Sequence, residues 1–225
     1  MTRTYFITGT DTEIGKTYVA CALLHAFRGQ GLTAIGMKPV AAGTHAAGHN
    51  DDVEALIAAS SLALPRDRVN SYCFADPVAP HIAAAEAGVT IGSDRIRQAL
   101  DELAGQADVV VVEGVGGFVV PLAEGFDAAD LAGALGIPLI LVVGMRLGCL
   151  NHALLTVEAI RARGLPLAGW IANRVDPAMS RFDENLAALK ARIHAPLLGV
   201  VPHALAGEVE AAARHLALSP LLDGR

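Results

Sequence analysis

Short, wholly apolar runs alternate along the chain with stretches whose apolar residues recur every three or four positions. Thr4–Gly9, Leu32–Lys38, Val109–Val112, Pro138–Val143, Leu167–Ala172 and Leu197–Val201 read as strands. Apolar runs of this kind fit strands buried on both faces. Lys16–Arg28 reads as a helix, with Val19, Leu23, Leu24 and Phe27 on one face and Gly29 and Gly31 behind it. Asp51–Ser60 reads as another helix. Ser93 reads as the N-cap of a helix carrying Ile96, Leu100 and Leu103 and stopped by Gly105. A last helix lies near Leu150–Arg163 and ends at Gly164. This alternation predicts an α/β fold, a mainly parallel sheet with helices on both faces, in a single domain spanning residues 1–225. Ala41–Ala75, rich in Gly, His, Asn and Pro, reads as long functional loops.

Composition narrows the picture. Hydrophobic residues make up 53% of the chain and charged residues 18%, so a large core can form and disorder is excluded as the main state. Aromatics are only 4%, which leaves the core to Ala, Val, Leu and Ile. Seventeen Lys and Arg against 23 Asp and Glu give a net charge of −6, with no basic run. Neither nucleic acid nor a membrane surface is an expected partner. Three cysteines, Cys21, Cys73 and Cys149, lie far apart without a C-x-x-C, which fits a reducing cytoplasm. The N-terminus enters a strand at once, leaving no room for a signal peptide. The longest apolar run, near Ile137–Met145, is far shorter than the roughly 20 residues of a spanning helix.

The sharpest motif is Gly9-Thr10-Asp11-Thr12-Glu13-Ile14-Gly15-Lys16-Thr17, between a strand and a helix. In a P-loop, backbone N–H groups and a helix N-terminus cradle phosphates, the Lys reaches the outer phosphates, and the Thr hydroxyl serves Mg²⁺. The strict pattern places its first glycine where Thr10 stands, and Gly9 lies one position early. Asp108–Gly117 places Glu113 at the end of an apolar strand, as a Walker B carboxylate would be, with Gly114, Gly116 and Gly117 after it. These glycines do not fit G-x-G-x-x-G, and no helix starts there, so a Rossmann site is excluded. Lys38 ends the second strand. Lys16, Lys38 and Glu113 therefore share the C-terminal edge of the sheet, where ligands bind in open α/β folds.

Other positions carry weaker signals. Asn173 stands at another strand end and suits either a purine edge or a simple Asx turn. Asp51 and Asp52 open a helix, where carboxylates favour the N-terminus, and they also suit the second carboxylate of a Mg²⁺ site. His45 and His49 have H-x-x-x-H spacing in a loop without an intervening Glu, so solvated histidines are the better reading than zinc. Cys149 near His152 invites a nucleophile reading, but a helix-opening loop explains it more simply.

In its ordered set of segments the chain resembles the dethiobiotin synthetases of biotin biosynthesis. The segments are Tyr5–Thr17, Lys38-Pro39-Val40, Asn50-Asp51-Asp52, Ala79-Pro80-His81, Val112-Glu113-Gly114, Leu147–Ala153, Gly169–Asn173 and Gly199–Pro202. The resemblance implies a P-loop α/β homodimer that uses ATP and Mg²⁺ to close a cyclic urea from 7,8-diaminononanoate and CO₂. Lys16 and Lys38 would be catalytic. Thr17, Asp52 and Glu113 would hold Mg²⁺. The nucleotide would meet Glu13, Ile14, Gly15, Lys16, Thr17 and Tyr18, then Asp52, Glu113, Gly114, Val115 and Gly116, and around the base Asn173, Arg174, Pro202, His203 and Ala204. The diamine would meet Thr12, Lys38, Ala42, Thr44 and Pro80. Its carboxylate would meet the Gly148-Cys149-Leu150-Asn151 loop across the dimer interface.

Two departures stand out. Ala42 occupies a position where the family usually has Ser, and either Glu208 or Glu210 is the acidic residue near the ribose. Two rival readings share the fold. A partner-binding partitioning ATPase would carry a signature Lys where Asp11 stands, with glycines in place of Thr12 and Glu13. A GTP-binding module would read its base with Asn173-Arg174-Val175-Asp176, a variant of N-K-x-D.

Overall fold

The computed structural model describes residues 2–46, 48–203 and 209–223. The chain begins with strand β1 (Arg3–Gly9), helix α1 (Lys16–Gly29), β2 (Ala34–Met37) and β3 (Val40–Ala42). It continues through α2 (Asp51–Ala59), α3 (Arg66–Val69), β4 (Tyr72–Phe74), α4 (Pro80–Glu86), α5 (Ser93–Ala104) and β5 (Val109–Glu113). The middle holds β6 (Pro121–Ala123), β7 (Phe126–Asp127), α6 (Ala128–Leu135), β8 (Leu139–Gly144) and α7 (Cys149–Ala162). The last elements are β9 (Leu167–Asn173), α8 (Phe182–Arg192), β10 (Leu197–Val201), α9 (Val209–Ala213) and α10 (Ser219–Leu222).

Six strands form one sheet in the order β10-β9-β8-β1-β5-β2. Every pair in it is parallel. Side chains of a strand alternate between faces, and both faces are covered. Phe6, Val110, Val112 and Leu139 pack with Ile96 and Leu100 of α5 and Leu131 and Leu135 of α6. Ile7, Val109, Val111 and Ile140 pack on the other side with Val19, Leu23 and Phe27 of α1. This double burial explains why the strands read as continuous apolar runs.

Two close approaches depend on glycine. A Cβ on Gly169 would lie 2.7 Å from the Leu198 side chain. On Gly199 it would lie 2.1 Å from the main-chain oxygen of His215, because the segment after α9 crosses there. That segment bridges Gly199 at Leu216 and donates Ala217 N–H to Leu198 O at 2.7 Å, which covers the edge of β10.

Several expected elements shift. The second strand starts at Ala34 rather than Leu32, because Asp108 accepts from both the N–H and the hydroxyl of Thr33. Ser93 is the first helical residue and not a cap. Extended Gly92 is the N-cap and no side chain caps this helix. Ala41–Ala75 is more ordered than its composition suggests. It contains α2, α3 and a parallel pairing of β3 with β4 only three residues long, too short for a periodic signal. Helix α6 went unseen although Asp127 and Asp130 form a reciprocal capping box at its start.

Gly199→Ala should lower stability by about 1–3 kcal/mol through overpacking against rigid backbone. Its melting temperature should fall by about 2–4 °C per kcal/mol in a chain of this size. Gly29→Ala, at the exposed end of α1 with nothing within 4 Å of a new Cβ, should hold or raise the melting temperature. Equal melting curves for both variants would contradict the packing described here.

Candidate active site

The loop between β1 and α1 is shaped by two left-handed residues, Glu13 at φ 57° and Gly15 at φ 77°. Gly15 is required twice over. It adopts that φ, and a Cβ there would meet the Asn173 amide nitrogen at 2.4 Å. The loop is anchored from below by Ile14, which is buried in contact with Gly9 and Gly144, where added Cβ atoms would approach it to 2.9 and 2.5 Å. Thr10, at the position of the strict motif's first glycine, has a structural use. Its hydroxyl accepts from Gly144 N–H at 3.3 Å and its N–H donates to Val142 O at 3.1 Å, tying the loop to β8.

Lys16 opens α1 and is only 7% exposed. Its ammonium donates to Asp11 O at 2.9 Å. Burial, followed by repulsion from Lys38, brings its pKa down to about 8. Lys38 follows β2 and is 3% exposed. Its main chain is clamped by Lys38 N–H to Val69 O at 2.9 Å and by Asn70 Nδ2, which donates to Lys38 O at 2.6 Å. The Lys38 ammonium lies 2.5 Å from Glu113 Oε1 and 2.8 Å from Asp52 Oδ2. Thr17 Oγ1 donates to the same Glu113 oxygen at 2.8 Å.

Parallel pairing brings this cluster together. Glu113 ends β5 level with Ile7 of β1, so its carboxylate emerges beneath the first turn of α1. Burial pushes the Glu113 carboxyl above its usual range. Burial opposes the charged form of Lys38 too, but Glu113 and then Asp52 outweigh it and hold the ammonium protonated. Burial also pushes Asp52 up, and Lys38 more than reverses this. Glu113 Oε2 is buried without a hydrogen-bond partner among the described residues. Thr17, Asp52 and Glu113 therefore form an oxygen-only donor set with an uncompensated acceptor, which suits a hard cation such as Mg²⁺.

The cluster opens into a cleft of about 620 Å³. Of the residues expected around it, Thr12, Glu13, Gly15, Ala42, Pro80, Val115 and Gly116 line this cleft with the cluster itself. Thr44 lines a smaller side pocket of about 320 Å³ that shares Asn50, Asp52 and Pro77 with it. His45 stands in that side pocket with Nε2 2.6 Å from Asp51 Oδ1. Sequence reasoning missed the apolar wall of Ala41, Pro77, Val78 and Val120, which no motif marks. It gave no role to Asn50, which caps α2 and donates to Gly43 O at 2.7 Å.

Other expected residues lie elsewhere. Ile14 is buried and Tyr18 is partly buried against the α1 core, and neither side chain lines the cleft. Gly114 is not at the cleft. Its N–H donates to Ile7 O at 2.9 Å, and a Cβ would press on the Phe6 ring at 2.9 Å, so the glycine serves strand packing. Asn173 is buried and its amide donates to Ile14 O at 2.8 Å, which fastens the P-loop to the end of β9. Arg174, Pro202 and His203 line a separate hollow of about 390 Å³ with Phe182, over whose ring the Arg174 guanidinium lies at 4.9 Å. Asp176 accepts from Ala178 N–H at 2.9 Å in its own turn. Glu210 lies 3.8 Å from His25, eight residues beyond Thr17 on α1 and away from the cleft. Ala204 and Glu208 lie outside the described residues.

Gly148, Leu150 and Asn151 start α7, and they do not line the cleft of their own chain. Cys149 is buried and its N–H already donates to Arg146 O at 3.0 Å. Burial raises its thiol pKa, so neither its side chain nor its amide is presented to a ligand. No helix among the described residues is long and apolar enough to cross a membrane.

The AAA domain family matches residues 3–208. An ATP-dependent dethiobiotin synthetase BioD of Aromatoleum aromaticum is 68% identical over 204 residues, covering 89% of this chain and 91% of the relative. That of Nitrosospira multiformis is 56% identical over 203 residues, 90% of this chain and 89% of the relative. Among solved structures, the septum site-determining protein MinD of Pyrococcus horikoshii, complexed with Mg-ADP, superposes with a TM-score of 0.60 at 18% identity. That match covers 96% of this chain and 87% of the other. Cobyrinic acid a,c-diamide synthase of Mycobacterium smegmatis, with bound ADP and magnesium, gives 0.59 at 19% identity, covering 100% and 97%. At these identities the two structures establish the P-loop NTPase fold alone. The likeness over nine-tenths of the chain, together with a P-loop, a buried Lys–Glu pair and an acidic Asp52 at one cleft, makes the chain a member of the ATP-dependent dethiobiotin synthetase family.

Proposed function

We propose that the protein closes the ureido ring of dethiobiotin from 7,8-diaminononanoate and CO₂ with ATP and Mg²⁺, releasing ADP and phosphate. The observation that carries this reading is the convergence of Lys16, Lys38, Thr17, Asp52 and Glu113 on one cleft. The two ammonium groups are close enough that Lys38, after burial, lowers the pKa of Lys16, and both face the cleft where phosphate oxygens would lie.

One substrate amine adds to CO₂ and loses a proton, giving a carbamate. A carbamate oxygen attacks the γ-phosphorus as the bond to ADP breaks, leaving a carbamic-phosphoric anhydride. The second amine attacks the carbonyl carbon, inorganic phosphate leaves, a proton is lost and the ring is closed. Lys16 holds the outer phosphates, and Lys38 neutralises the carbamate and the charge spreading onto the transferred phosphoryl group. The two ammonium groups offset part of the repulsion between two anionic reactants. Thr17, Asp52 and Glu113 would hold Mg²⁺, which supplies Lewis-acid polarisation of the phosphate oxygens when bound. The wall of Ala41, Pro77, Val78 and Val120 suits the methylene chain of the diamine. Ala42 lacks the family's hydroxyl, and Thr44 in the adjoining pocket offers one two residues on.

The nucleotide base fits the hollow of Arg174, Pro202 and His203, with Asn173 Oδ1 left to meet an amino group beside it. The protein acts in the cytoplasm as a homodimer whose α7 start reaches the partner's substrate. Leu147, 96% exposed, and Leu155, 62% exposed, on one segment support such an interface. A partner-binding ATPase role is disfavoured at Asp11, whose carboxylate pairs with Arg146 where the switch proteins carry a lysine.

Labelled bicarbonate should enter an acid-stable product only when the diamine, ATP and Mg²⁺ are all present. Bicarbonate fixation without diamine, or ATP turnover indifferent to it, would overturn the reading. Lys16→Ala should lower this rate by about 10²-fold or more. Lys38→Gln should keep nucleotide affinity and lose turnover.

Glu113→Gln and Asp52→Asn should each shift the Mg²⁺ titration of activity to higher concentration, since each removes a charge from a hard site. An unchanged titration removes that residue from the donor set. If the site is shared, mixing Lys38→Gln with an inactive Asn151 variant should restore part of the activity once subunits exchange. No recovery after verified exchange indicates self-contained sites.

A further inference from the structure

Asp11 makes three contacts in three directions. Its main-chain oxygen accepts from Lys16 Nζ at 2.9 Å. Its Oδ1 accepts from Thr12 N–H at 2.8 Å. Its Oδ2 lies 2.5 Å from Arg146 Nη2, in the turn between β8 and α7. One residue thus touches the P-loop ammonium, the next loop amide and a turn that lies 135 residues away in sequence.

On its β8 side that turn is held by main-chain bonds up to Met145, and it is fixed again where buried Cys149 donates its N–H to Arg146 O at 3.0 Å. Gly144 donates to Thr10 Oγ1, Met145 N–H donates to Asn173 O at 2.8 Å, and Met145 O accepts from Asp176 N–H at 3.3 Å. Beyond it stand Arg146, Leu147 and Gly148. Leu147 is 96% exposed, and Gly148 takes φ 94° as the N-cap of α7 without any side-chain cap. Of these three, only Arg146 has a side chain that ties the turn to the rest of the molecule. The pair is two-fifths exposed on both sides, so it adds little to global stability. Its geometric effect is larger, because it adds a side-chain tie between the P-loop and the turn two residues beyond the bond from Gly144 N–H to the Thr10 hydroxyl.

We infer that Asp11 and Arg146 are a positioning pair that sets the α7 start, residues 147–151, in register with the P-loop and reports nucleotide phosphate to it. A phosphate that draws Lys16 away from Asp11 O frees the Asp11 backbone. Arg146 then carries the adjustment into the turn. This inference rests on the proposal that the α7 start meets the carboxylate end of the diamine. The pair couples occupancy of the phosphate site to the fit of the second substrate without touching either.

The test is a double-mutant cycle of Asp11→Asn and Arg146→Gln, with Arg146→Lys as the conservative control. Hydrogen exchange and steady-state kinetics are the two readouts. Amides of residues 147–151 should exchange faster in each single variant, by about two- to thirtyfold, the range of such couplings. The double variant should exchange no faster than the faster single one, because both substitutions remove the same link. ATP should alter exchange of this segment in the wild type and leave it unchanged in Arg146→Gln. The diamine KM should rise by a factor in that same range while the ATP KM stays within about twofold, and Arg146→Lys should recover most of the loss. Unchanged exchange in the single variants, additive effects in the double one, or an equal rise in the ATP KM would each overturn the pairing. A wild-type protein that does not turn over the diamine overturns the proposed reaction alone, and the exchange data still decide the pair.

Discussion

The site depends on one interaction, the ion pair of Lys38 with Glu113 below the mouth of the cleft. Glu113 is 1% exposed and Lys38 3%, so both charges have left water almost entirely. Two such groups persist only when each compensates the other, and removing one partner of a buried pair costs about 3–5 kcal/mol. Here the compensation is extended by Asp52 and the Thr17 hydroxyl. Strands β2 and β5, neighbours in the sheet, therefore finish at a fixed separation, and α1 and α2 are drawn to the same point. Because Glu113 keeps one oxygen without a partner among the described residues, the cluster is stable yet still attractive to a further cation.

The P-loop is held by packing rather than by charge. Ile14 sits on Gly9 and Gly144, Thr10 bonds to β8, and Asn173 bonds to the Ile14 carbonyl. Three strands thus grip one short loop, which fixes its backbone in place at the edge of the cleft. A preorganised backbone of this kind needs no rearrangement as charge develops, which is the main source of electrostatic catalysis. The loop departs from the strict glycine pattern at Thr10 because a hydroxyl is wanted there for β8.

Electrostatic design and hydrophobic design meet in the cleft. One end is a field of two lysines and two carboxylates, and the other is a wall of Ala, Pro and Val side chains. The diamine proposed above would use both parts, charge at its reacting end and apolar contact along its chain.

Much of this was legible in the chain. All six strands of the main sheet were visible as apolar runs, because a sheet buried on both faces writes its presence into consecutive residues. The P-loop, Lys38 and Glu113 were visible because each stands at a strand end where its residue type breaks the apolar run. The sequence also marked Asp52 as a candidate carboxylate. Segments with only two or three paired residues, such as β3, β4, β6 and β7, left no periodic trace. Nor could spacing tell that Gly114 packs on Phe6, that Cys149 is buried, or that Asn173 already bonds to Ile14. Those roles depend on which side chains from distant segments arrive at the same place. The sequence by itself determined the sheet, the phosphate loop and the charged residues, because each is encoded in neighbouring positions. Only the tertiary structure decided which charges pair, which glycines are contacts and which arginine meets Asp11, because such pairings form between residues 135 positions apart and exist only once the strands have been ordered.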